Sequence, residues 1–133
     1  GQAFANAPVA AVHALAYPLG GHFHVPHGLS NALVLPHVLR FNADAARELY
    51  AELAAIVVPG STGTSAQRCA AFIDYCAELS PQTGIASRLS EVGVTQGDLD
   101  RLADDAMLQT RLLVNNPREV TRADAFAIYQ AAY

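Results

Sequence analysis

The sequence predicts an all-α domain of about six helices, and three observations carry that expectation. Apolar residues recur at three- and four-residue spacing in nearly every stretch between turn signals. Two helix starts of the hydroxyl-x-x-carboxylate kind occur, Thr95 with Asp98 and Thr121 with Asp124. No segment alternates with period two, and there are no internal repeats or low-complexity tracts.

The first helix covers Phe4, Val9, Val12, Leu15 and Tyr17, is apolar nearly all round, and is expected to end at Pro18. Such a helix is buried on every side, which in a small domain points to a partner outside these residues. Gly20 and Gly21 are expected to supply the following turn. Pro26, His27 and Gly28 open a second helix with Leu29, Leu33 and Leu35 on its apolar face, and Pro36 should kink or split it. A third runs from Asp44 to Val57 with Ala46, Leu49, Tyr50, Leu53, Ile56 and Val57 on one face, stopped by Pro59 and Gly60. From about Thr64 to Leu79 the face is Ala66, Cys69, Ala70, Ile73, Cys76 and Ala77, with a hydroxyl available as cap and Ser80 and Pro81 as terminator. Ile85, Leu89 and Val92 suit a brief helix. Leu99, Leu102, Ala103 and Ala106 follow the first capping pair, and Ala125, Ile128, Tyr129 and Ala132 follow the second.

Length and charge bound what such a domain does. With 133 residues the chain forms one domain, and 52% hydrophobic against 15% charged residues excludes a disordered tail. The net charge is −4, and all eight cations are arginines scattered singly between Arg40 and Arg122, so no basic groove for nucleic acid exists. No run of eighteen apolar residues occurs, which excludes a membrane span. Cys69 and Cys76 lie seven apart in a helical pattern, about 10.5 Å between Cα atoms and too far for a disulfide. Two reduced thiols, with nothing reading as a signal peptide, fit a cytoplasmic protein, and the start resembles a cut.

The first 43 residues differ in character from the rest. All five histidines, His13, His22, His24, His27 and His37, lie here, whereas the first carboxylate in the chain is Asp44. Imidazole is the commonest protein ligand for divalent iron and zinc, and His13 could face His27 across the intervening loop. Two imidazoles do not complete a site. The missing ligands come either from an acid on a later helix or from protein outside these residues. His22 and His24 are the weaker ligand candidates, because a Gly-rich loop carries its histidines toward solvent or a cleft.

The run from His13 through Tyr17, Pro18, Gly20, Gly21, His22, His24, Pro26, His27, Gly28, Asn31 and Pro36 to Asn42 closely resembles the second signature of the iron-containing alcohol dehydrogenases. Asn116-Pro117-Arg118, with Thr121, Asp124 and a final helix, resembles the C-terminal end of the same family. The resemblance implies that residues 1–133 are the C-terminal helical, metal-binding domain, of the dehydroquinate synthase-like kind. An N-terminal domain that binds NAD or NADP would be absent from this chain.

In that family one Asp and three His hold a divalent ion, Fe(II) or Zn(II). The resemblance puts two of those ligands on His13 and His27, and the other two in a motif upstream. It implies reversible hydride transfer between an alcohol or aldehyde substrate and the nicotinamide, with the metal polarising the substrate oxygen. Where many members carry a second His four residues after the first ligand, this chain has Tyr17, which either enters the chemistry or simply packs. A phenol donates a hydrogen bond but, unlike imidazole, does not exchange its proton readily at neutral pH. The related maleylacetate reductases, which act on an unsaturated oxo acid, share part of the motif; Arg40 is the only cation in the segment available to such a substrate. A non-catalytic helical module that binds metal or packs on a partner is the alternative from another class. Self-association into a homo-oligomer is expected from the apolar first helix.

Overall fold

The computed structural model describes residues 9–58, 60, 62–83, 86 and 88–133. Among them are six α-helices and no strand: α1 (Val9–Phe23), α2 (His27–Val57), α3 (Ser65–Thr83), α4 (Leu99–Met107), α5 (Thr110–Leu113) and α6 (Arg122–Ala132). Two 3-10 turns, Leu89–Val92 and Gln96–Asp98, precede α4. The expected all-α class holds, with different boundaries.

Helix α1 is the centre of the molecule. Ala11, Ala14, Leu15 and Leu19 are fully buried, and Val12 and Ala16 are nearly so. The partners are this chain's own helices, since α2, α4 and α5 all pack against α1. Much of its apolar circumference is therefore covered within the chain, while Tyr17 stays exposed. Residues 1–8, including Phe4, lie outside the described residues.

Proline does not break either of the first two helices. Pro18 lies inside α1, which continues through Gly20 and Gly21 to Phe23. The missing amide costs one intrahelical bond. Burial of Leu15 and Leu19 on both sides of Pro18 outweighs it, at about 1.5–3 kcal/mol per fully buried leucine. The turn comes later, at His24, whose φ of 55° is left-handed. Pro36 is likewise inside α2, flanked by the fully buried Val34 and Val38. The interruption expected there falls ten residues on, at Ala46, where φ is −119° and ψ 20°.

That bend separates two cores. Before it, α2 joins α1, α4 and α6 around Leu15, Leu33, Val38, Leu102 and Tyr129. After it, α2 pairs with α3 around Tyr50, Ala54, Cys69, Phe72 and Ile73. The Tyr50 and Phe72 rings stand 5.6 Å apart. The 116–118 loop grips α2 just before the bend. Asn42 and Asn116 exchange amide hydrogen bonds at 2.9 and 2.8 Å, and the Arg118 guanidinium donates to the Phe41 carbonyl at 2.9 Å while stacking on the Phe41 ring.

The capping signals act as expected. Thr64 and Gln67 form a reciprocal box at the start of α3, through Thr64 N to Gln67 Oε1 at 2.9 Å and Gln67 N to Thr64 Oγ1 at 3.2 Å. Thr95 with Asp98 and Thr121 with Asp124 form boxes ahead of α4 and α6. Helix α3 passes Pro81 and ends at Thr83, beyond the expected terminator. The brief helix at 85–92 is a 3-10 turn closed by Gly93 at φ 94°, a left-handed position that favours glycine; Ile85 lies outside the described residues.

Candidate metal centre

The turn after α1 doubles back on the helix that precedes it. The Val25 amide reaches the Leu19 carbonyl at 3.5 Å, and the Ser30 hydroxyl donates to the Val25 and Pro26 carbonyls at 3.2 and 3.1 Å. This reversal brings the first residue of α2, His27, abreast of the middle of α1. The His13 and His27 rings lie with centroids 5.4 Å apart and planes within 2° of parallel. His13 is half-buried and His27 exposed, so the pair forms an open edge of the molecule.

The donor types and the centroid spacing fit half of a divalent-ion site, although the rings lie parallel and stacked, so that sharing one ion in their planes would require them to turn. Two imidazoles on one near-tetrahedral ion, with metal–nitrogen bonds of about 2.1 Å, place their ring centroids about 5 Å apart. Among the described residues no group of three or more His, Cys, Asp or Glu could complete the set.

The other histidines are placed apart from this pair. His22, in the last turn of α1, hydrogen-bonds to Asp105 of α4 rather than riding on a loop. His24 is exposed at the left-handed turn. His37 is half-buried on α2, where burial and then the neighbouring Arg40 charge hold its pKa below the ordinary histidine value. Tyr17 lies one helical turn beyond His13 on α1 and is 57% exposed. Burial pushes both the Cys69 and Cys76 thiols up, so neither free cysteine is a ready nucleophile.

One polar neighbour escaped the sequence reading. Asn31 Nδ2 lies 3.2 Å from His27 Nε2. The signal available in the sequence was its spacing, four residues after a candidate ligand on one helix face.

Two imidazoles on an open edge are, among the described residues, a candidate for part of a metal site rather than a whole one. The chain matches the Fe-containing alcohol dehydrogenase family, C-terminal, over residues 1–133, and it belongs to that family. It is 38% identical to long-chain-alcohol dehydrogenase 1 of Geobacillus thermodenitrificans, over all of this chain and 34% of that protein. It is 36% identical to lactaldehyde reductase of Escherichia coli, over all of this chain and 35% of that protein. Among solved structures, a 1,3-propanediol oxidoreductase superposes with a TM-score of 0.87 at 34% identity, covering 92% of this chain and 32% of that one. An alcohol dehydrogenase from Oenococcus oeni superposes with a TM-score of 0.85 at 33% identity, with the same coverage of each chain. The chain thus spans about a third of the length of the relatives that it matches. Among the described residues no helix is long and apolar enough to cross a membrane.

Proposed function

We propose that this chain is the metal-holding domain of an NAD(P)-dependent alcohol dehydrogenase whose dinucleotide-binding domain lies in the remaining two-thirds of the protein. The observation that carries the reading is the His13 and His27 pair, 5.4 Å apart on one open edge. Each would give one ring nitrogen to a divalent cation, Fe(II) or Zn(II), with the other ligands coming from the upstream domain. When bound, the cation supplies Lewis-acid polarisation of an alcohol or carbonyl oxygen. A nicotinamide held by the upstream domain would supply the acceptor for the hydride of the alcohol carbon, and the hydroxyl proton would be released.

The protein's own side chains supply position and hydrogen bonding. Tyr17, exposed one turn beyond His13, presents a phenol hydroxyl that can hydrogen-bond the substrate oxygen or pass its proton onward. The named activities of the relatives, on lactaldehyde, 1,3-propanediol and long-chain alcohols, support a small-molecule alcohol or aldehyde as substrate. The two free thiols support a reducing, cytoplasmic setting.

The test is metal content and cofactor-dependent alcohol oxidation by the full-length protein. His13→Ala and His27→Ala are each expected to lose bound metal and activity together. Retention of both by either variant would remove that residue from the site.

A further inference from the structure

A cavity of 280 Å³ opens between α2 and α6. His37 and Arg40, one turn apart on α2, line it together with Asp124 of α6. The remaining walls are apolar, from Phe41, Ala127, Ile128 and Ala131. His37 follows His27 by ten residues, about 15 Å along the helix, so the cavity is set apart from the imidazole pair.

The charges around it are unequally committed. Arg47, Arg101 and Arg122 each pair with an aspartate, and Arg118 is engaged by the Phe41 carbonyl and ring. Arg40 is exposed and has neither ion pair nor hydrogen bond among the described residues. Asp124 is already held, since its Oδ2 accepts from the amide and the hydroxyl of Thr121. Beside the uncommitted guanidinium stands an imidazole that burial and then the Arg40 charge keep mainly neutral at pH 7. A neutral imidazole still carries one N–H donor.

We propose that this cavity binds a small monocarboxylate with a short apolar chain, its carboxylate on Arg40 and His37 and its chain against Phe41, Ala127 and Ile128. A guanidinium presents two N–H groups in the geometry of a carboxylate, and His37 adds a third donor. The volume lies at the lower end for small-molecule sites, which fits a ligand of a few carbons. One uncommitted cation balances one negative charge, and the Asp124 carboxylate in the wall opposes a second. The cavity therefore selects a monoanion over a phosphate or a dicarboxylate.

The probe is sodium butyrate, titrated into the full-length protein with nitrogen-labelled histidines and followed by NMR. The His37 resonances, assigned by their loss in His37→Gln, are expected to move saturably, with a dissociation constant in the millimolar range usual for so small a ligand. Saturating butyrate is also expected to raise the His37 titration midpoint, because a nearby anion favours the imidazolium. Arg40 and Asp124 are the charged groups that share the cavity with His37, and Arg118 stands over the Phe41 ring. Arg40→Met keeps an unbranched stem without the charge and is expected to weaken binding at least about tenfold. Ala127→Leu fills the cavity from an exposed position and is expected to do the same while leaving alcohol oxidation unchanged. Succinate is expected to bind less tightly than butyrate. An absent or unsaturable response, the same response to sodium chloride at equal ionic strength, or undiminished binding in both variants overturns the site. Tighter binding of succinate overturns the selection of a monoanion.

Discussion

The Tyr129 hydroxyl donates to the main-chain oxygen of Leu15 at 2.6 Å, joining α6 to α1 across 114 residues of sequence. Both residues are fully buried. The bond falls one residue after Ala14, whose carbonyl has no amide from Pro18 to accept. Burial pushes the Tyr129 pKa far up, so the group stays a donor at every working pH. Tyr129→Phe is expected to destabilise the protein by about 1–3 kcal/mol, because it leaves a buried carbonyl with less hydrogen bonding and keeps the ring. A lower denaturant midpoint with an unchanged slope, and faster amide exchange in α1, would show it. An unchanged midpoint would mean that ring packing alone holds α6 in place.

The Asn42 and Asn116 amides form a second long-range tie, and this one lies just before the bend of α2. Asn42 is fully buried, so its amide has no water to fall back on when Asn116 is removed, whereas the half-buried Asn116 also donates to the Arg118 carbonyl at 2.6 Å. Asn42→Leu and Asn116→Ala are each expected to cost about 1–3 kcal/mol. The double variant should cost less than the sum, with a coupling of about 1–2 kcal/mol, since each single change already breaks the exchange between the two amides. Additive losses in a double-mutant cycle would show that the two amides act independently.

His37 gives the fold a pH dependence of definite sign. Burial, and then Arg40, hold its folded-state pKa below the unfolded value of 6.5. The unfolded chain therefore binds a proton more readily than the folded one. Its contribution to stability is complete above the unfolded value and is lost as the pH falls through the folded one. His37→Gln is expected to flatten the stability profile as the pH falls below the unfolded value of 6.5. An identical profile in parent and variant would assign that acid sensitivity to other groups.

The helix class, the capping boxes and the pairing of His13 with His27 were legible because each depends on local chemistry or on a motif. Thr121 and Asp124 are three residues apart and need nothing else to cap α6. The boundaries were not legible, because tertiary burial decided them. Pro18 and Pro36 are helix breakers by local rule, yet each sits between residues that the core takes up completely. The bend at Ala46 comes just after the residues held by Asn116 and Arg118, which lie seventy or more residues away in sequence, and no window around Ala46 contains them. The short α5 carries no capping pair, and its place against α1 is set by packing.

Tyr17 is the remaining choice between chemistry and packing, and its exposure favours chemistry. A side chain that is 57% exposed loses little core contact when its hydroxyl is removed. Its place one turn beyond His13 puts the phenol on the same helix face as a proposed ligand. Tyr17→Phe in the full-length protein is expected to leave stability within about 0.5 kcal/mol, as for other surface changes. If the hydroxyl bonds the reacting oxygen or relays its proton, kcat should fall about 10²-fold, the lower range for one positioned acid–base group. Metal content should stay unchanged, since the phenol is not proposed as a ligand. An unchanged kcat with unchanged stability would assign Tyr17 to neither chemistry nor packing within this domain, and proton transfer would then depend on a group of the upstream domain.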